Sequence, residues 1–170
     1  KLREELRDEL PKLFSGRNAI VFYATTEPHE ALLFGNQTLT MHEGRITQFG
    51  PTAEIYRKPN SLVSARVFSD PPINIAKVTK KGRSLQLAHG DVTWPVAPSA
   101  ARLPDGDYSI GLQPHYVLPQ KASETSGALS GRVLVTEISG SESVVHIDVG
   151  GQTWVSQSHG VHPHQVGEMA

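Results

Sequence analysis

Phe68-Ser69-Asp70-Pro71-Pro72-Ile73-Asn74 is the stretch on which the fold turns. Two consecutive prolines remove two backbone donors and keep the residues before them out of the helical region, so neither a helix nor a central strand runs through them. The texture of the chain changes here. Upstream, segments alternate between helical and extended patterning; downstream, short β-type runs are separated by Gly, Pro and Ser. The sequence therefore predicts an α+β chain of two domains, residues 1–69 and residues 70–170, the second all-β.

Working back from the prolines, Leu62 to Phe68 and Thr52 to Tyr56 read as short helices, with Pro51 in the first turn of the latter and Lys58-Pro59 ending it. Gln37 to Met41 and Arg45 to Phe49 alternate as two strands about a Glu43-Gly44 turn, a hairpin. Thr26-Glu27-Pro28-His29-Glu30-Ala31-Leu32-Leu33 predicts a helix capped by Thr26, with Pro28 in its first turn and its acidic residues at the favourable end of the helix dipole. Ala19 to Ala24, almost continuously apolar, reads as a strand buried on both faces, as in a parallel sheet flanked by helices. Leu2, Leu6, Leu10 and Leu13 form one stripe of an amphipathic helix, with a kink or end expected near Leu10 because of Pro11, and Ser15-Gly16 closing the segment.

Working forward, seven strands are expected: Ile75 to Thr79, Ser84 to Ala88, Val92 to Val96, Tyr108 to Gln113, Gly131 to Ile138, Ser143 to Val149 and Thr153 to Gln157. Their spacing suits a small antiparallel barrel or sandwich. Ala122 to Ala128, rich in Ser, Thr and Gly, reads as a surface connection between two lobes.

Composition narrows the function classes. Of 170 residues, 38% are apolar and 19% charged, and a formal net charge of −1 gives no footprint that a nucleic-acid backbone or an anionic bilayer would select. The longest apolar run, Asn18 to Ala24, is far short of the roughly 20 residues that span a bilayer. The charged opening Lys1-Leu2-Arg3-Glu4-Glu5-Leu6 is not a signal peptide. With no cysteine there are no disulfides, thiolate metal sites or thiol nucleophiles, which fits a reducing cytosol.

Three other groupings invite chemistry and are read as structural. His159, His162 and His164 lie in a loop broken by Gly160 and Pro163 with no carboxylate interleaved, so no metal site is expected. Asp105-Gly106-Asp107 sits at a hairpin turn and lacks the remaining ligands of a calcium loop. Trp94, Trp154, Tyr108 and Tyr116 are expected to pack rather than to form a stacking platform. No Gly-x-x-x-x-Gly-Lys-Ser/Thr loop is present to cradle phosphates, and no catalytic residue is assigned.

Four segments taken in order resemble one family. Lys1-Leu2-Arg3-Glu4-Glu5-Leu6, Val21 to Ala31, Gly44 to Pro59 with its Glu54-Ile55-Tyr56-Arg57-Lys58-Pro59 ending, and Phe68 to Asn74 are similar to the maltose and glycerol-phosphate type of ABC importer ATPase. Gly44 to Pro59 is the most specific match. Ile110-Gly111-Leu112-Gln113-Pro114 resembles a strand of that family's transport-associated OB domain, with Gln113 where arginine is usual.

The resemblance implies a fold: the carboxyl-terminal remnant of an α/β P-loop ATPase domain over residues 1–69, then an OB-like β-barrel domain over residues 70–170, in which a further strand usually follows Val166-Gly167-Glu168. It places Thr26 and Glu27 near the nucleotide, at the switch position where the family has histidine before an acidic residue. A threonine hydroxyl is shorter and cannot carry an imidazolium charge. The parent would use ATP and magnesium, act as a homodimer or with a paired ATPase subunit, and work with membrane permeases at the cytoplasmic face of the inner membrane. It would import a sugar, polyol or glycerol phosphate. This chain alone would have a coupling or regulatory role, no cofactor and no ATP hydrolysis, and would neither bind nucleic acid nor insert into the membrane. The competing reading is a stand-alone, non-enzymatic β-barrel binding module with a helical adaptor; an oligonucleotide-binding protein is disfavoured by the charge balance.

Overall fold

The computed structural model describes residues 2–15, 18–88, 92–123 and 126–170. The side chains of Leu2 and Leu6, Gly16, and positions 124 and 125 of the expected Ala122–Ala128 connection lie outside the described residues. The chain divides into two compact units, Lys1–Asp70 and Pro71–Ala170.

In the first unit, helix α1 spans Leu2–Phe14 and passes through Pro11, so the end expected near Leu10 is not there. Proline deletes one ladder bond, but the last turn still closes, with the Ser15 N–H donating to the Pro11 carbonyl at 3.0 Å. Residues 18–27 form neither strand nor helix, which corrects the strand read over Ala19 to Ala24. A strand buried on both faces needs ladder partners on both edges, and none of the described strands lies beside this segment. Its side chains remain out in solvent, Phe22 at 93% exposure.

Helix α2, Pro28–Phe34, starts with Pro28 in its first turn; Glu27, not Thr26, is the N-cap residue, and it caps without a side-chain hydrogen bond. Strands β1, Gln37–His42, and β2, Arg45–Pro51, pair antiparallel. Glu43 at φ 48° and Gly44 at φ 74° supply the two left-handed residues that a two-residue hairpin turn demands. Pro51 is the N-cap of helix α3, Thr52–Arg57, one position earlier than expected. Helix α4, Leu62–Val67, is capped by Ser61, whose hydroxyl accepts from the Ser64 N–H.

The second unit holds seven strands, each coinciding with one of the seven segments read from the sequence. Strands β3 (Asn74–Lys81), β4 (Ser84–Leu87), β5 (Thr93–Pro95) and β6 (Gly106–Leu112) form a sheet in the order β5-β4-β3-β6. Strands β7 (Arg132–Ile138), β8 (Glu142–Val149) and β9 (Gln152–His159) form a second sheet in chain order, and every pairing in both is antiparallel. Burial alternates strictly along β3 and β8, as half-buried strands require. Ala76, Val78 and Leu87 of the first sheet share one core with Val133, Val145, Ile147, Val149 and Trp154 of the second. The architecture is β-rich and compatible with an OB-like domain.

Side chains, not a backbone ladder, join the two sheets. The Asn74 amide, buried at the start of β3, donates from Nδ2 to the Val155 carbonyl at 2.8 Å and accepts from the Val155 N–H at 2.6 Å. Gln152 Nε2 donates to the Ile75 carbonyl beside it. At the other side, the edge of β7 is covered by residues 167–170: Val133 N–H donates to the Glu168 carbonyl, and Gly131 and Ala170 exchange both backbone bonds. Gly131 is required there, since a Cβ would run into the Asp148 backbone carbonyl. Asn74→Ala leaves two buried backbone groups of Val155 without partners, at roughly 1–3 kcal/mol each. It is expected to destabilise the second unit by about 2–4 kcal/mol in urea unfolding followed by circular dichroism. A loss below about 0.5 kcal/mol would show that the amide does not hold the sheets together.

Candidate functional site

Thr26 and Glu27, the residues expected at a switch position, lie in the irregular segment just before α2. Thr26 and Glu27 are both exposed, and Thr26 makes no side-chain hydrogen bond among the described residues. Immediately behind them is a feature the sequence reading missed. Glu30, on the first turn of α2, is only 2% exposed. Its Oε2 accepts from the Tyr23 hydroxyl at 2.9 Å and from the Thr25 hydroxyl. Thr25 Oγ1 in turn accepts from the Glu27 N–H at 2.9 Å. The Tyr23 ring packs edge-on against Phe34 at the end of α2, 4.9 Å between centroids. The signal available in the sequence was two hydroxyl residues on one side of an extended segment, at 23 and 25, followed by a carboxylate within helical reach.

By themselves these residues do not make a phosphate cradle. They offer an exposed hydroxyl and a braced backbone, with no glycine-rich loop and no lysine to neutralise phosphate charge.

The other groupings are occupied by structure. His162 Nε2 lies 2.9 Å from the His159 carbonyl, and His164 Nδ1 lies 2.6 Å from Glu168 Oε1. His164 holds the Glu168 carboxyl below its ordinary range, helped by the Gln165 amide. No three His, Asp or Glu among the described residues are arranged around a common metal position. Trp154 is 1% exposed in the core, Trp94 is half-buried against it, and Tyr108 donates to the Pro104 carbonyl, so these rings present no common platform. Asp105 accepts from Lys80 Nζ at 2.8 Å and from the Gly82 N–H.

No protein-family model matches the chain. Among characterised proteins it is 27% identical to the sn-glycerol-3-phosphate import ATP-binding protein UgpC of Yersinia enterocolitica, over 92% of this chain and 44% of that protein. It is 29% identical to the maltose/maltodextrin import ATP-binding protein MalK of Yersinia pestis, over 87% of this chain and 41% of the relative. It is 28% identical to the sulfoquinovosyl glycerol transport ATP-binding protein SmoE of Agrobacterium fabrum, over 88% and 42%. The chain is related to the ATP-binding subunits of sugar-type ABC importers. It spans about two-fifths of the length of these relatives, consistent with the carboxyl-terminal part of such a subunit. The β-rich second unit fits a transport-associated OB domain, and no helix among the described residues is long and apolar enough to cross a membrane.

Asp105 belongs to this unit's turn chemistry and gives a pH test. The Lys80 hydrogen bond, then the Gly82 amide, hold its carboxyl below the usual carboxylate value. A carboxylate depressed in the folded state adds stability that is complete above its unfolded pKa of about 4 and is lost as pH falls through the lower folded value. Asp105→Asn is therefore expected to lower the melting temperature at neutral pH and to flatten its decline below about pH 4. Identical acid sensitivity of the two proteins would rule the contribution out.

Proposed function

We propose that this chain is the carboxyl-terminal part of the ATPase subunit of an ABC importer for a sugar, polyol or glycerol phosphate. In this reading residues 1–69 complete an α/β nucleotide-binding domain and residues 70–170 form its OB-like coupling and regulatory domain. ATP and magnesium are bound by the full-length protein, which pairs with a second ATPase subunit and with membrane permeases and sits at the cytoplasmic face of the inner membrane. Thr26 and Glu27 lie beside the nucleotide there, with Thr26 contributing a neutral hydroxyl.

The observation that carries this reading is the inverted surface of the first unit. On the hairpin, Leu39 faces Phe49 and Met41 faces Ile46 across the ladder, and all four side chains are exposed, from 42% to 65%. Ile20 and Phe22 of the unpaired segment are more exposed still. Fully burying such side chains is worth roughly 1.5–3 kcal/mol each, so this half-exposed hairpin face alone leaves about 3–7 kcal/mol of burial unrealised. That is comparable with the lower end of an ordinary domain's whole stability, about 5–15 kcal/mol. An apolar segment without ladder partners, together with an exposed apolar sheet face, is what dividing a larger sheet-and-helix layer would leave.

Calorimetric titration with Mg·ATP tests the proposal: the full-length protein is expected to bind, and residues 1–170 alone to give no micromolar, magnesium-dependent signal. A full-length protein that binds no ATP would overturn it. Ile46→Ser with Phe49→Ser gives a second check with opposite signs in the two contexts. Binding of a hydrophobic dye by the 170-residue chain is expected to fall, whereas the full-length protein is expected to lose about 2–5 kcal/mol of stability in denaturant.

A further inference from the structure

Glu30 is a buried carboxylate, and a carboxylate this far from water is costly unless hydrogen bonds satisfy it. Two of its donors, Tyr23 and Thr25, belong to the segment that leads into the switch-position turn. Thr25 hands the constraint forward, because the hydroxyl that donates to Glu30 also accepts the Glu27 N–H. The backbone is thereby fixed on both sides of Thr26, and the turn is tied to α2 near its start through Glu30 and near its end through the Tyr23–Phe34 contact. Neither hydroxyl is needed to form the helix, whose first turn is already set by Pro28 and whose end is closed by the Gly35 N–H on the Ala31 carbonyl. The arrangement leaves Thr26 outward with its hydroxyl uncommitted. An exposed group on a rigid mount suits a contact that must be placed to within a fraction of an ångström, and a group on a loose loop does not.

We infer that Glu30 is a positioning residue: it holds Thr26 and Glu27 at the place where they meet the phosphate end of the nucleotide, without touching that ligand. The inference rests on the ATPase reading above. Its test is amide hydrogen exchange at residues 25–27 of the full-length protein, with and without Mg·ATP, alongside ATP binding by calorimetry. Wild type is expected to show slower exchange at the Glu27 amide when Mg·ATP is added. Glu30→Ala is expected to lose most of that protection, and Glu30→Gln, which keeps an acceptor oxygen of the same reach, to retain it. Should Glu30→Ala fail to fold, Tyr23→Phe combined with Thr25→Val removes the two donors and is expected to give the same loss.

Full protection surviving in Glu30→Ala, or in the double variant, overturns the positioning role while leaving the ATPase reading intact. Wild type that binds ATP with no change at residues 25–27 also overturns it alone. Wild type that neither binds ATP nor shows protection removes the ATPase reading, and this inference with it.

Discussion

The second unit depends on one side chain imitating a strand. Asn74 presents a carbonyl and an N–H in the spacing of a backbone amide, and Val155 answers with both of its own groups. Apart from this amide and the neighbouring Gln152 bond to the Ile75 carbonyl, the sheets of four and three strands meet through apolar contact, which is non-directional and tolerates sliding. The amide fixes register: Asn74 stands opposite Leu112 on one edge of β3 and reaches β9 with its side chain. With that contact in place, Ala76 and Val78 fall over Val145, Ile147 and Trp154, and the common core follows.

The first unit is built on the opposite plan. Its buried residues include Glu30, Thr40, Thr52 and Ser64, each held by hydrogen bonds, while Ile55, Ala65 and Phe68 supply the buried apolar part. Thr52 alone ties α3 to the end of α2, its hydroxyl lying 3.0 Å from the Gly35 carbonyl and its N–H donating to Asn36. Thr40 and Thr47 do the same across the hairpin at 2.7 Å. Such bonds give geometry more than stability. The apolar surface that would supply further stability faces outward, at Leu39, Met41, Ile46 and Phe49.

Much of this architecture was legible because it is local. Alternation and turn chemistry located all seven downstream strands and the Glu43-Gly44 hairpin, where side-chain period and φ sign are set by residues a few positions apart. The apolar pattern over Ala19 to Ala24 suggested a strand buried on both faces, but pairing and burial depend on neighbours and not on pattern, and the segment is unpaired and exposed. Thr26 was assigned the cap because threonine caps well, yet Pro28 in the first turn placed that duty one residue later. The Glu30 clasp was missed because its members lie in unlike segments, irregular at 23 and 25 and helical at 30, which no single periodicity brings together. Asn74 was quoted only as part of a junction, since nothing short-range reveals a partner 81 residues away.

The placement of the indoles has a practical consequence. Both tryptophans of the chain, Trp94 and Trp154, belong to the β-rich unit, one half-buried and the other sealed in its core. Intrinsic emission therefore follows the opening of that unit and is silent about the helix-and-hairpin unit, whose aromatic residues are tyrosine and phenylalanine. Comparing an indole-excited melting curve with one from far-ultraviolet ellipticity separates the two transitions without cutting the chain or adding a label.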